Sequence, residues 1–75
     1  MIFQQLFDPA SCTYTYVLAR RHGGEALIID PVFEQVDIYL SLLERLDLKL
    51  VKAIDTHIHA DHVTGASELR KATGA

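Results

Sequence analysis

The stretch Asp55-Thr56-His57-Ile58-His59-Ala60-Asp61-His62-Val63-Thr64-Gly65 holds three of the chain's four histidines within six residues, with an aspartate between the second and third. Histidines at i and i+2 of an extended segment project to the same side, so His57 and His59 can grip one ion. Asp61 and His62 follow where the chain turns and can reach a second ion nearby. Imidazole and carboxylate together suit Zn²⁺, Fe²⁺ or Mn²⁺ better than calcium. Two such ions roughly 3.5–4 Å apart form a hydrolytic device that activates a shared water. One ion held by two histidines and a carboxylate, with open positions, instead activates oxygen. The spacing alone admits both chemistries.

Such a cluster needs elements that hold it. Residues 50–54, apolar except for Lys52, read as a buried strand ending just before the histidines. Residues 64–73 read as a short helix stopped by Gly74, a C′ glycine. Upstream, residues 2–7 and 12–20 are strand candidates; the second is rich in Thr, Tyr and Val, which suit a pleated surface. Arg21-His22-Gly23-Gly24 reads as the hairpin turn that follows. The continuous apolar run 26–29 suggests a strand covered on both faces. From residue 34 the period changes to that of a helix, expected over 34–45: Val36, Tyr39, Leu40, Leu43 and, just beyond it, Leu46 fall at helical spacing. The expected order is β-β-β-α-β-α, an α/β chain whose antiparallel start leads into a right-handed β-α-β crossover. The histidines then sit on a loop at the carboxyl end of a buried strand, where open α/β sheets carry their ligand sites.

Composition narrows the partners. The 75 residues form at most one domain, with 49% hydrophobic residues and a formal charge of −3. A chain this apolar is globular, and either its core is very efficient or some apolar surface is meant for something outside the chain. The negative balance argues against nucleic acid, which needs a basic stripe. The densest basic cluster, Arg20-Arg21-His22, reads as a solvated turn. The opening residues carry neither a basic start nor a long apolar run, so no signal peptide or presequence is expected. No stretch approaches the roughly 20 apolar residues of a membrane span. With a single cysteine, Cys12, a reducing compartment and a cytoplasmic location are expected. Cys12 itself is expected in the core of its strand, and Tyr14 and Tyr16, on one strand face, are expected to pack.

The motif with its flanks supports a further step. THIHADH resembles the first metal-binding motif of the metallo-β-lactamase superfamily. Ser11-Cys12-Thr13-Tyr14-Thr15-Tyr16, Leu27-Ile28-Ile29-Asp30-Pro31-Val32 and His59-Ala60-Asp61-His62-Val63-Thr64-Gly65 together resemble the persulfide dioxygenases, iron enzymes that use O₂ to oxidise glutathione persulfide to sulfite. Glyoxalase II, a metal-dependent thioesterase of the same fold, is the related hydrolase. The resemblance implies that His57 and His59 belong to the first metal position, and that Asp61 and His62 match the second position of dinuclear relatives. That second position is not filled in the persulfide dioxygenases, where Asp61 and His62 would support the site from behind. Fe²⁺ is the implied ion and Zn²⁺ the alternative. Asp30 matches a buried aspartate near the strand ends; a carboxylate satisfying loop amides before Pro31 is the plainer reading of it.

The family's fold is an αββα sandwich of two similar halves, and this sequence corresponds to part of the first. The third histidine and bridging aspartate of the family's site come from the later portion. The expectation is therefore an incomplete ligand set in residues 1–75, little or no activity from the isolated chain, and a homo-oligomer that covers its apolar sheet.

Overall fold

The computed structural model describes residues 1–56 and 65–75. Strands β1 (Ile2–Asp8), β2 (Thr13–Ala19) and β3 (Glu25–Ile29) are followed by a 3₁₀ turn (Phe33–Gln35) and helix α1 (Val36–Arg45). Strand β4 (Lys49–Ile54) and helix α2 (Gly65–Thr73) complete the order. One four-stranded sheet runs β1-β2-β3-β4, antiparallel at the first two pairings and parallel at β3–β4. The β-β-β-α-β-α order holds, with the helical start at residue 34 resolved into a 3₁₀ turn before α1.

Alternation divides the sheet into two unlike faces. On the inner face Thr15, Val17 and Ala19 of β2 line up with Ala26 and Ile28 of β3 and Leu50 and Ala53 of β4. Tyr39, Leu42 and Leu43 of α1 and Ala66 and Leu69 of α2 pack against this row in a single core. On the outer face the cross-strand register brings Phe3, Gln5 and Phe7 beside Leu18, Tyr16 and Tyr14. Leu27 and Ile29 continue that face and are half-buried. The expectation that the run 26–29 is covered on both faces is thus corrected for the described residues: both helices lie on the same side, and on the other side Leu27 and Ile29 stay half-buried.

Local signals close the helices. Leu48 N–H bonds to Leu43 C=O at 2.8 Å and Asp47 N–H to Glu44 C=O at 3.0 Å. With Asp47 at φ 55° this is a Schellman stop carrying aspartate where glycine is usual. Gly74, at φ 78°, donates to Arg70 C=O at 2.8 Å and ends α2 as a C′ glycine. The turn at Arg21–Gly24 forms as read, with Gly24 N–H on Arg21 C=O at 3.2 Å and Gly23 at φ 73°.

Cys12 corrects another expectation. The strand begins at Thr13, and Cys12 lies exposed in the β1–β2 connection at φ 54°, its thiol 3.7 Å from Pro9 C=O. Asp8 organises that connection. One carboxylate oxygen accepts from Ser11 N–H at 3.1 Å and Ser11 Oγ at 2.6 Å, the other from Gln35 Nε2 at 3.1 Å. The Ser11 hydroxyl is the main cause holding the Asp8 carboxyl below its usual value; desolvation opposes it and is outweighed.

Candidate functional site

The carboxyl ends of the parallel strands β3 and β4 lie side by side, and Asp30 joins them. Its backbone N–H continues the ladder by bonding to Ile54 C=O at 2.8 Å. Its φ of 55° is a left-handed conformation that aspartate tolerates better than most residues. The chain therefore leaves β3 through a sharp turn, and the Asp30 carboxylate meets residue 56. It accepts the Thr56 amide at 2.7 Å on one oxygen and the Thr56 hydroxyl on the other. The plainer reading of Asp30, a carboxylate engaged by a loop amide, describes these contacts.

A buried polar chain lies beneath this turn. Thr15 Oγ1 donates to Asp30 C=O at 2.7 Å and sits 3.1 Å from the Tyr39 hydroxyl, which accepts Val32 N–H at 3.0 Å. Tyr39 and Thr15 are 2% and 1% exposed, so these bonds carry the full polar demand of both hydroxyls. On the far side, Gly65 opens α2 against Pro31 and Val32. A Cβ at Gly65 would lie 2.3 Å from Pro31 O and 2.8 Å from Val32 C, closer than any side chain tolerates. Arg70 extends from α2 to Ala53 C=O at 2.7 Å, tying the helix to β4.

His57, His59, Asp61 and His62 lie outside the described residues. Their neighbours on either side, Thr56 and Gly65, are both seated on the segment Asp30-Pro31-Val32. Among the described residues no three His, Cys, Asp or Glu side chains converge in a way that would hold a metal. His22 is exposed in the hairpin turn. Tyr14 and Tyr16 belong to the outer sheet face, where they pack on Phe7 and Phe3 with ring centroids 4.8 and 5.7 Å apart.

Tyr39, Thr15 and Gly65 were not singled out as site residues by the sequence. A hydroxyl-bearing residue among leucines on a buried helix face was the available signal for Tyr39. Thr15 alternates with Val17 and Ala19 toward the core, and gave the same signal more weakly.

The chain belongs to the metallo-β-lactamase superfamily, whose family model matches residues 9–75. Within that class it is similar to persulfide dioxygenase ETHE1, mitochondrial, of Mus musculus, at 49% identity over 93% of this chain and 28% of the relative. The Homo sapiens protein of the same name is 46% identical over the same shares. A crystal structure of ETHE1 from Myxococcus xanthus superposes with a TM-score of 0.87 at 50% identity, covering 100% of this chain and 33% of that one. The chain thus spans about a third or less of the length of these relatives, and its fold is a part of the metallo-β-lactamase fold.

Proposed function

We propose that this chain supplies the first metal-binding segment of a persulfide dioxygenase, with glutathione persulfide as the substrate of the complete site. The similarity to persulfide dioxygenases at nearly half of all positions carries the reading. The chemistry of the donor set agrees with it: three imidazoles and one carboxylate fit Fe²⁺ or Zn²⁺. His57 and His59 would hold the ion, with Asp61 and His62 completing or supporting the site. When bound, Fe²⁺ supplies oxygen activation. The chain's own part would be to supply imidazole donors from the segment that follows β4, with Asp30 engaging Thr56, the residue just before it.

The bare outer face supports a second element of the reading, association with another copy of this chain. Phe3, Phe7 and Tyr14 are 56%, 50% and 51% exposed. At about 150–250 Å² per aromatic side chain, they alone leave on the order of 300 Å² open. The half-buried Tyr16, Leu18, Leu27 and Ile29 extend the same face. A patch of this size and continuity is one that proteins cover. Concerning location, no helix among the described residues is long and apolar enough to cross a membrane. Our reading is a reducing compartment; the sequence points to the cytoplasm, three relatives are named mitochondrial, and cell fractionation decides between these.

Native mass spectrometry with Fe²⁺ or Zn²⁺ counts ions and chains together. The expected result is metal uptake that His57→Ala abolishes and His22→Ala leaves intact; equal losses from both would show adventitious binding. Glutathione-dependent O₂ consumption by the isolated chain is expected near background, and robust turnover would contradict an incomplete ligand set.

A further inference from the structure

The segment Asp30-Pro31-Val32 touches both residues that flank the span 57–64. At one end the Asp30 carboxylate holds the Thr56 amide and hydroxyl. At the other, the Pro31 and Val32 backbone presses on Gly65 so closely that no Cβ fits. Whatever sets the position of this segment sets the position of both ends of the span.

Two hydroxyls do so, and their hydrogen-bond directions are determined. Asp30 C=O cannot donate, so Thr15 Oγ1 must give it its only hydrogen, at 2.7 Å. Thr15 can then only accept from Tyr39, at 3.1 Å, and Tyr39 in turn accepts Val32 N–H at 3.0 Å. The order is Val32 N–H to Tyr39 hydroxyl to Thr15 hydroxyl to Asp30 C=O, a ring of bonds closed around the turn with each hydroxyl both giving and receiving. Bonds linked in this way strengthen one another, and losing one leaves buried groups without partners.

We infer that Tyr39 and Thr15 are positioning residues for the metal-binding segment, acting through the Asp30–Val32 turn on Thr56 and Gly65. The inference rests on the metal-binding reading of His57, His59, Asp61 and His62. Tyr39 and Thr15 touch neither an ion nor a substrate in this account. Tyr39 enters from the middle of α1, so the helix that covers the sheet also fixes the entry and exit of the site. A phenylalanine at 39 fills the same volume and removes only the oxygen, which separates this role from plain packing.

The test uses the full chain as wild type, Tyr39→Phe and Leu43→Ala, below the melting temperature of all three. Leu43 lies on the same helix, 4% exposed, and belongs to the core without joining the polar ring. Amide hydrogen exchange is read by NMR at Thr56 against Val17 and Ile28 in the sheet centre. Tyr39→Phe is expected to speed exchange at Thr56 by about tenfold relative to those core amides, while Leu43→Ala speeds core amides without singling out Thr56. Uptake of Co²⁺ is followed by its visible bands: Tyr39→Phe is expected to change their position or intensity, and Leu43→Ala to reproduce the wild-type spectrum. Gly65→Ala, which strikes the other end of the clamp, is expected to change the Co²⁺ bands as well. A wild-type chain that takes up no Co²⁺ would sink the metal reading. An unchanged Thr56 exchange ratio in Tyr39→Phe would overturn the positioning role whatever the metal result, and so would Co²⁺ bands identical to wild type.

Discussion

The two faces of the sheet are nearly matched in apolar content and differ in what covers them. The inner face carries Val17, Ala19, Ala26, Ile28, Leu50 and Ala53, all at or below 5% exposure beneath α1 and α2. The outer face carries Phe3, Phe7, Tyr14, Tyr16, Leu18, Leu27 and Ile29, and none of these reaches burial. Residue type therefore does not distinguish the faces; the side on which the two helices return does. The inner face holds the molecule together and steadies the carboxyl ends of β3 and β4, while the outer face offers apolar area that the fold itself does not use.

The sharpest way to break this comparison is truncation on each side. Leu69→Ala removes a fully buried side chain from the core and is expected to cost about 2–5 kcal/mol. Small domains have only ~5–15 kcal/mol in total, so the cooperative thermal transition followed by circular dichroism should drop sharply or vanish. Phe7→Ala on the outer face loses chiefly its contact with Tyr14, at 4.8 Å between centroids. Its expected cost is about 0.5–1.5 kcal/mol. Equal losses from the two would mean the outer face is as tightly covered as the inner.

Association should respond in the opposite sense. A double Phe3→Glu, Tyr14→Glu variant is expected to shift sedimentation toward the monomer at micromolar concentration with the core's cooperative melting preserved. A wild-type chain that sediments as a compact monomer would remove the outer face as an interface.

A smaller effect comes from the rim where the two faces meet. The Asp8 carboxyl is held below its usual value in the folded chain, chiefly by Ser11. A lowered folded-state value means that its stabilising contribution is fully present above the unfolded value of about 4, and is lost as pH falls from there through the folded value. Urea melts of wild type and Asp8→Asn should therefore converge as pH is lowered below about 4 and differ by a constant amount near neutrality. The smallest effect is expected at Lys71→Ala. Its ammonium lies 3.7 Å from Glu68, three residues earlier on α2, and helix pairs of this spacing contribute ~0.2–0.5 kcal/mol, within reach only of careful chemical denaturation.

Much of this was legible in the chain itself. The change from strand to helical period at residue 34, the glycine at 74 and the Arg21–Gly24 turn are local signals, and each produced the expected element. His57, His59, Asp61 and His62 were read from their spacing along one short stretch, and they lie outside the described residues. Cys12 was misread because a strand's first residue and the last residue of a turn look alike in composition, and Asp8 and Ser11 decide where the turn ends.

What the sequence by itself determined is the element order and the family to which the chain belongs. Only the tertiary structure decided which face of the sheet is covered and how Thr56 and Gly65 are seated on the Asp30–Val32 turn. Alternation tells which residues share a face, but both faces here are apolar, so the pattern carries no sign for inside. The ring through Val32, Tyr39, Thr15 and Asp30 joins residues up to 24 positions apart, and Gly65 matters only because Pro31 lies against it. Contacts of that kind depend on the path of the folded backbone, which packing of α1 and α2 against one side of the sheet determines.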